Sequence, residues 1–314
     1  MKVQFYSRGP VEQVSGGFHY NQRIIDYLRQ RGVDVDYHPD KTGLDAVQPG
    51  DVVIVDSLVV DEYFDELLNL AIDPILFLHM VPQRPQLGHL LRRSRIIGSG
   101  EGIRESLQQL ANRGEFDITI IEPGIAFAGT YDRQYAKTAR RLLYLANYLP
   151  GKGHIRALDI LATLRNSDWT LDMHGNQALE PGFADRVRAA VSERQLDNRV
   201  NVGDAIPYAA VQQTMAQADL LLNLSEYETY SMINAEAIAC GLPVCSTRVG
   251  NWRQFAESGL VHFADADDAS ATATLATLID DPAQYAQLRP VGDWQVRSWE
   301  TVGAEFYDWL QSHT

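Results

Sequence analysis

The sequence predicts an α/β protein of two similar domains, each a parallel β-sheet with helices on both faces. Three observations carry this. Short β-branched runs alternate with longer amphipathic stretches along the whole chain, the pattern that requires helical crossovers between parallel strands. The two halves open alike, each with a strand, a glycine loop and a helix. The length of 314 residues, 45% apolar and 22% charged, suits two globular domains with a core each.

Taken in order, six apolar runs occupy the first half: Val3 to Tyr6, Val33 to Tyr37, Val52 to Val55, Ile75 to Leu78, Ile96 to Ile97 and Ile118 to Ile121. The first leads to Ser15-Gly16-Gly17 and then to a helix with Tyr20, Ile24, Ile25 and Leu28 at helical spacing and Gly32 as its stop. Six more runs follow: Leu142 to Leu145, Trp169 to Met173, Val200 to Val202, Leu220 to Leu224, Pro243 to Ser246 and Leu260 to Phe263. Here the opening strand leads to Pro150-Gly151-Lys152-Gly153 and a helix carrying Ile155, Leu158, Ile160, Leu161 and Leu164. In each half the second strand starts about 30 residues after the first, the length of one βαβ unit. A linker is expected near 126–140, giving domains over 1–127 and 128–293. The tail from Trp294 to Leu310 has helical periodicity and reads as a closing helix over 294–314 that packs on a domain face. No short-period repeat is present, which removes solenoids and propellers.

Lys and Arg total 27 against 41 Asp and Glu, a formal net charge of −14 that repels a polyphosphate backbone and argues against a nucleic-acid partner. The opening Met1-Lys2-Val3-Gln4-Phe5-Tyr6-Ser7 lacks a signal-peptide core, and no apolar run nears the ~18 residues that cross a bilayer. A cytoplasmic protein is expected. Cys240 and Cys245 have no Cys/His cluster to complete a metal site and read as reduced, buried thiols.

In an open parallel sheet, ligands bind beyond the carboxyl ends of the strands, so two such domains place the expected site in a cleft between them. The richest segment is Leu220 to Val244. It reads as a strand, a loop Ser225-Glu226-Tyr227-Glu228-Thr229-Tyr230, a helix from about Ser231 to Cys240, and a stop at Gly241-Leu242-Pro243. With Ser231 as N-cap, the helix N-terminus suits a diphosphate. Glu236, one and a half turns in, can lean back toward ribose hydroxyls, while Glu228 faces the other end. Two carboxylates at this spacing are by themselves also compatible with ordinary helix charge; the surrounding residues make the pattern specific.

Glu228-x7-Glu236, within Ser225-Glu-Tyr-Glu-Thr-Tyr-Ser-Met-Ile-Asn-Ala-Glu-Ala-Ile-Ala-Cys-Gly-Leu-Pro-Val244, resembles the signature of the family 4 retaining glycosyltransferases. Leu143 to Gly153, Met173-His174-Gly175, Arg199 to Gly203 and Trp299 to Tyr307 are also similar to that family, whereas the first half matches weakly, through Gly16-Gly17 and His79. The resemblance implies the GT-B fold, two facing Rossmann-like domains, and a metal-independent transferase with a nucleoside-diphosphate sugar as donor. It implies that Glu228 contacts donor-sugar hydroxyls, helped by backbone amides of Thr229, Tyr230 and Ser231, that Glu236 holds the ribose, and that Lys152 neutralises the leaving diphosphate. Gly16 and Gly17 would approach the phosphates, His79 would contact the donor sugar, and Gly175 and residues 202–206 would lie near the base. The acceptor, a glycan, lipid or small molecule, would be held mainly by the first domain.

The family usually has an arginine shortly after the first strand of this domain, where Asn147 stands, which takes one cation from the phosphate cradle. Thr229 and Ser231 replace glycines of the usual pattern. Asn147 motivates a second reading, a nucleotide-sugar binding protein that does not turn over; a third is another GT-B reaction such as epimerisation. The runs Asp34-Val-Asp36 and Asp265-Ala-Asp267-Asp268 are expected to be strand and cap residues rather than metal ligands. Arg84, Arg92, Arg93 and Arg95 form an acid-free basic stretch, open either to an anionic acceptor or membrane surface or to a solvated helix face.

Overall fold

Both halves fold as expected for strands buried on two faces. A computed structural model describes residues 1–9, 16–84, 86–110, 116–126, 133–265, 267–291 and 296–314. Ser15, Trp294 and the boundaries expected at 127/128 and 293/294 lie outside these. The chain divides into two units, Met1–Ala126 with Arg297–Thr314, and Phe127–Val296.

The first unit runs β1 (Lys2–Tyr6), α1 (Gly16–Gln30), β2 (Asp34–His38), β3 (Asp51–Asp56), α2 (Ser57–Val60), α3 (Phe64–Asn69), β4 (Ile75–Leu78), α4 (Leu87–Arg93), β5 (Arg95–Gly98), α5 (Glu101–Leu110) and β6 (Ile118–Ile120). Among the described residues these strands form a six-stranded parallel sheet in the order β2-β1-β3-β4-β5-β6. Because successive side chains of a strand point to opposite faces, Val52 and Ile54 enter one core with Val3, Phe5 and Phe77, while Val53 and Val55 enter the other with Tyr6, Leu76 and Leu78. Gly16 and Gly17 depart from expectation. They are the first residues of α1, not a loop ahead of it.

The second unit runs β7 (Arg141–Leu145), α6 (His154–Thr163), β8 (Thr170–Gly175), α7 (Phe183–Glu193), β9 (Val200–Asp204), α8 (Tyr208–Gln217), β10 (Leu220–Asn223), α9 (Met232–Ala239), β11 (Val244–Ser246), α10 (Trp252–Ala256), β12 (Val261–Phe263), α11 (Asp268–Asp280) and α12 (Pro282–Tyr285). Its described strands form a six-stranded parallel sheet, β12-β11-β10-β7-β8-β9. Renumbered within the unit and read from β9, this is the 3-2-1-4-5-6 order of dinucleotide-binding folds.

The last helix, α13 (Trp299–His313), starts later than the expected 294, with residues 296–298 outside any helix and Ser298 as its cap; it belongs to the first unit and packs on α1. Ser298 caps it by accepting the Thr301 N–H at 3.1 Å. Val302, Phe306, Trp309 and Leu310 face the core that also holds Tyr20, Ile24 and Leu28. The Trp309 indole N–H donates to Thr119 Oγ1 at 2.9 Å, tying α13 to β6.

Candidate active site

In the second sheet β7 and β10 are neighbours, and strand order reverses between them, the place at which open parallel sheets bind ligands beyond the carboxyl ends of their strands. After β7 a single 3-10 turn spans Pro150–Lys152, and Gly153 follows at φ 73°. A side chain is excluded there twice, by the left-handed backbone and because a β-carbon would fall 2.2 Å from the Leu224 carbonyl oxygen. The Tyr144 hydroxyl donates to the Lys152 carbonyl and accepts the Leu224 N–H, and the Glu226 N–H donates to the Gly151 carbonyl at 3.0 Å. With the loops stitched in this way, Lys152 Nζ donates to Glu228 Oε1 at 2.7 Å. The structure thus brings two of the expected residues together. Their side chains are only 27% and 17% exposed, so removing either partner would leave a largely buried charge without its counter-ion.

Helix α9 starts beside this pair. Asn234 and Ala235 donate to the Ser231 carbonyl, which leaves the Met232 and Ile233 amides ahead of the helical ladder. Ser231 occupies the N-cap position, but not as the sequence leads one to expect. Its φ is 75° and its hydroxyl makes no cap; the hydroxyl instead accepts a hydrogen bond from Asn223 Nδ2 at 2.9 Å. The left-handed backbone explains why glycine is usual at this place. Tyr230 is buried against Phe255, its carbonyl accepting the Asn251 N–H at 3.0 Å, and Thr229 precedes it in the same loop.

Beneath the loop lies a buried polar network that sequence reasoning missed. Asn223 Nδ2 also donates to Asn234 Oδ1 at 3.0 Å, Asn234 Nδ2 donates to Ser246 Oγ at 2.9 Å, and Thr247 Oγ1 donates to the Ser225 carbonyl at 2.6 Å. These bonds fix the descent from β10 into α9 and tie it to the end of β11. The only available signal was an asparagine closing an otherwise aliphatic strand.

Glu236 sits inside α9, 5% exposed, and accepts from the Tyr208 hydroxyl at 2.9 Å. Burial pushes its pKa up from 4.5 to about 7, and the Tyr208 hydrogen bond only partly opposes this. Tyr208, the first residue of α8, was not singled out in the sequence.

Gly175 ends β8 against the β7 loop, where a β-carbon would fall 1.9 Å from the Ala146 carbonyl oxygen. Asn147 Oδ1 accepts the Asn176 N–H at 3.3 Å, so this side chain joins the β7 and β8 loops and brings no charge. Of residues 202–206, Gly203 offers its carbonyl to the Tyr148 hydroxyl at 3.1 Å.

In the first unit, His79 follows β4 and is half-buried. Its Nε2 lies 2.7 Å from Asn21 Oδ1, and its ring packs on Phe77 and on Gly17. Burial pushes its pKa down, with the Asp56 charge in opposition. Strand order also reverses in this sheet, on either side of β1, and Ser7, Asp56 and His79 all lie at the carboxyl ends of β1, β3 and β4.

The basic stretch is less available than its density suggests. Arg93 donates to the Leu68, Leu70 and Ile72 carbonyls and pairs with Asp73, and Arg84 pairs with Asp65 at 3.4 Å; Arg92 and Arg95 are exposed. The aspartate runs have structural partners. Asp36 pairs with Lys2, Asp265 with Arg248, Asp268 with Arg156, and Asp267 caps α11. Among the described residues no group of three or more His, Cys, Asp or Glu side chains could hold a metal ion, and no helix is long and apolar enough to cross a membrane.

These two doubly wound units define the GT-B class of α/β proteins. Sucrose-phosphate synthase from Thermosynechococcus elongatus superposes with a TM-score of 0.80 at 14% identity, over 100% of each chain. Anabaena HepE in complex with UDP and glucose gives 0.67 at 17% identity, over 99% of this chain and 100% of that one. At such identities the likeness shows the fold. Residues 131–292 match the family model described as glycosyl transferases group 1, and the chain belongs to that family. Among curated relatives, the GDP-mannose:cellobiosyl-diphosphopolyprenol alpha-mannosyltransferase of Xanthomonas campestris is 26% identical over 196 residues, 61% of this chain and 49% of the relative. The alpha-maltose-1-phosphate synthase of Mycobacterium tuberculosis is 34% identical over 129 residues, 37% of this chain and 33% of the relative. The chain spans about half the length, or less, of these curated relatives.

Proposed function

We propose that the protein is a retaining, metal-independent glycosyltransferase that takes a sugar from a nucleoside-diphosphate donor and transfers it to an acceptor hydroxyl, within glycan, glycolipid or small-molecule glycoside synthesis. The observation that carries this reading is the Lys152–Glu228 pair at the β7/β10 reversal, next to the start of α9. In the reaction, the bond from the anomeric carbon to the diphosphate oxygen breaks, and the acceptor oxygen bonds to that carbon from the same face. The acceptor proton passes to the leaving phosphate oxygen. Lys152 and the amides at the start of α9 stabilise the charge that grows there, Glu228 orients donor-sugar hydroxyls, and Glu236 accepts from the ribose. Donor binding therefore takes Lys152 over from Glu228. The curated relatives, one a mannosyltransferase named for GDP-mannose, support the donor class. The setting proposed is the cytoplasm, in keeping with two free, buried thiols. Any contact with an anionic membrane is assigned to Arg92 and Arg95.

A thermal-shift screen with UDP-, GDP-, ADP- and dTDP-sugars, followed by mass spectrometry of products with candidate acceptors, tests the reading. At least one donor should stabilise the chain. Lys152→Ala and Glu228→Gln should each lose about a hundredfold or more in turnover while remaining folded. Near-wild-type turnover in both variants would reject the assignment. Asn147, engaged with Asn176 rather than supplying charge, favours the second reading of donor binding without transfer; a shift with no product would establish it.

A further inference from the structure

The segment that carries Lys152 is closed on itself by a buried histidine. His154 opens α6, two residues after Lys152, and is 1% exposed. Its Nε2 lies 3.3 Å from the carbonyl oxygen of Ala146, the first residue after β7, so the imidazole joins the two ends of residues 146–154. The ring packs on Tyr148 at 4.8 Å and 25°, on Tyr144 at 5.0 Å and 38°, and against Phe183 at 5.9 Å. Both tyrosines reach outward from this cluster. Tyr144 ties the Lys152 carbonyl to the Leu224 N–H, and the Tyr148 hydroxyl meets the carbonyls of Met173 at 3.2 Å and Gly203 at 3.1 Å. One group of rings therefore holds the segment to itself, to the loop after β10, and to β8 and β9.

A histidine at the centre of such a cluster calls for a reason. A carbonyl only accepts, so Nε2 carries a hydrogen. Burial pushes the pKa from 6.5 down to about 4, so near neutral pH the ring has one N–H and Nδ1 keeps a lone pair. Among the described residues that Nδ1 is buried and has no hydrogen-bond partner, which is destabilising. A phenylalanine would fill the same space without an unpaired nitrogen. What the histidine alone provides is its hold on Ala146. That carbonyl is the group for which Gly175 makes room, so it lies where the β7 and β8 loops cross, and fixing it fixes the start of the path to Lys152.

We propose that His154 is a positioning residue: by donating from Nε2 to the Ala146 carbonyl it closes residues 146–154 and holds Lys152 where the ammonium meets the leaving diphosphate. The closure stands on the hydrogen-bond geometry; the diphosphate rests on the glycosyltransferase reading. Two substitutions separate position from stability. His154→Phe keeps a ring in the cluster and loses the donor. His154→Gln keeps an amide donor at the reach of Nε2 and loses the ring. The phenylalanine variant loses one hydrogen bond and one unpaired acceptor together, so it should melt close to wild type, yet its kcat should fall by about tenfold to a hundredfold with donor KM little changed, because Lys152 acts on charge that grows in the transition state. The glutamine variant should melt lower and keep most of the wild-type kcat. A phenylalanine variant with near-wild-type kcat, or a glutamine variant no more active than it, overturns the proposal.

Hydrogen exchange, read by mass spectrometry on the full chain, reports the closure without donor or acceptor. Peptides covering 146–153 should exchange about fivefold to tenfold faster in His154→Phe than in wild type, and at the wild-type rate in His154→Gln. Equal exchange in wild type and the phenylalanine variant overturns the closure. Long-range 1H–15N spectra of the labelled wild type decide the matter even if a variant fails to fold: Nε2 protonated and Nδ1 bare is expected, and a bare Nε2 overturns the proposal. A wild-type chain that transfers no sugar to any acceptor overturns the functional reading and the link to the diphosphate, while exchange and spectrum still report on the closure.

Discussion

Glu236 is the residue where electrostatics and ligand binding pull in opposite directions. Its folded pKa of about 7 lies above the ordinary 4.5, so between these values the folded chain holds a proton that the unfolded chain has released. Stability therefore falls as pH rises from about 4.5 to 7, and the full penalty, on the order of 3 kcal/mol, is present above 7. Glu236→Gln should melt above wild type at pH 8 and close to it near pH 4.5, by calorimetry. Ribose hydroxyls donate to the ionised form, so nucleotide affinity should rise from pH 6 to 8 in the wild type and stay flat in Glu236→Gln, by titration calorimetry. A flat wild-type profile would show that Glu236 does not meet the ribose as a carboxylate. The glutamates and Lys152 were legible because their local sequence pattern is strong. Tyr208, Asn21 and Asp56 were not, because each acts on a partner tens of residues away that only the strand order brings near.

At the scale of elements, α9 depends on a loop that enters it with the wrong-handed backbone. A non-glycine residue at the 75° φ of Ser231 costs about 1 kcal/mol, which its hydrogen bond from Asn223 offsets. Ser231→Ala keeps the strain and loses the bond, whereas Ser231→Gly loses both. The alanine variant should therefore be less stable than the glycine variant by about 1 kcal/mol in urea denaturation. Equal stabilities would mean that the backbone is not held left-handed in solution. Helix and strand positions were readable from periodicity, with β4 expected over the residues it occupies and the other strands within two residues at either end. The glycines were harder. Gly16 and Gly17 looked like a loop because two glycines rarely open a helix, yet the contact of Gly17 with His79 favours a residue without a side chain there.

For the molecule as a whole, the sequence showed two repeated architectures but not which unit the last helix would complete, since an amphipathic stripe does not name its partner. That partner is α1, and the contact makes the first unit discontinuous in sequence. Removing residues 297–314 would uncover the core around Val302, Phe306, Trp309 and Leu310. At about 1.5–3 kcal/mol for each buried side chain, the loss rivals the stability of a whole domain. In limited proteolysis, a chain ending at Val296 should be cut first within residues 1–126, with the second unit persisting as a resistant fragment. Equal resistance of the truncated and full chains would refute a supporting role for α13.

The same connection orders events at the ribosome. Translation delivers the whole of the second unit before residues 297–314, so that unit can reach its native form while the earlier one still lacks a wall. The first unit is begun first and finished last, and until then α1 carries an open apolar face that a chaperone could shelter.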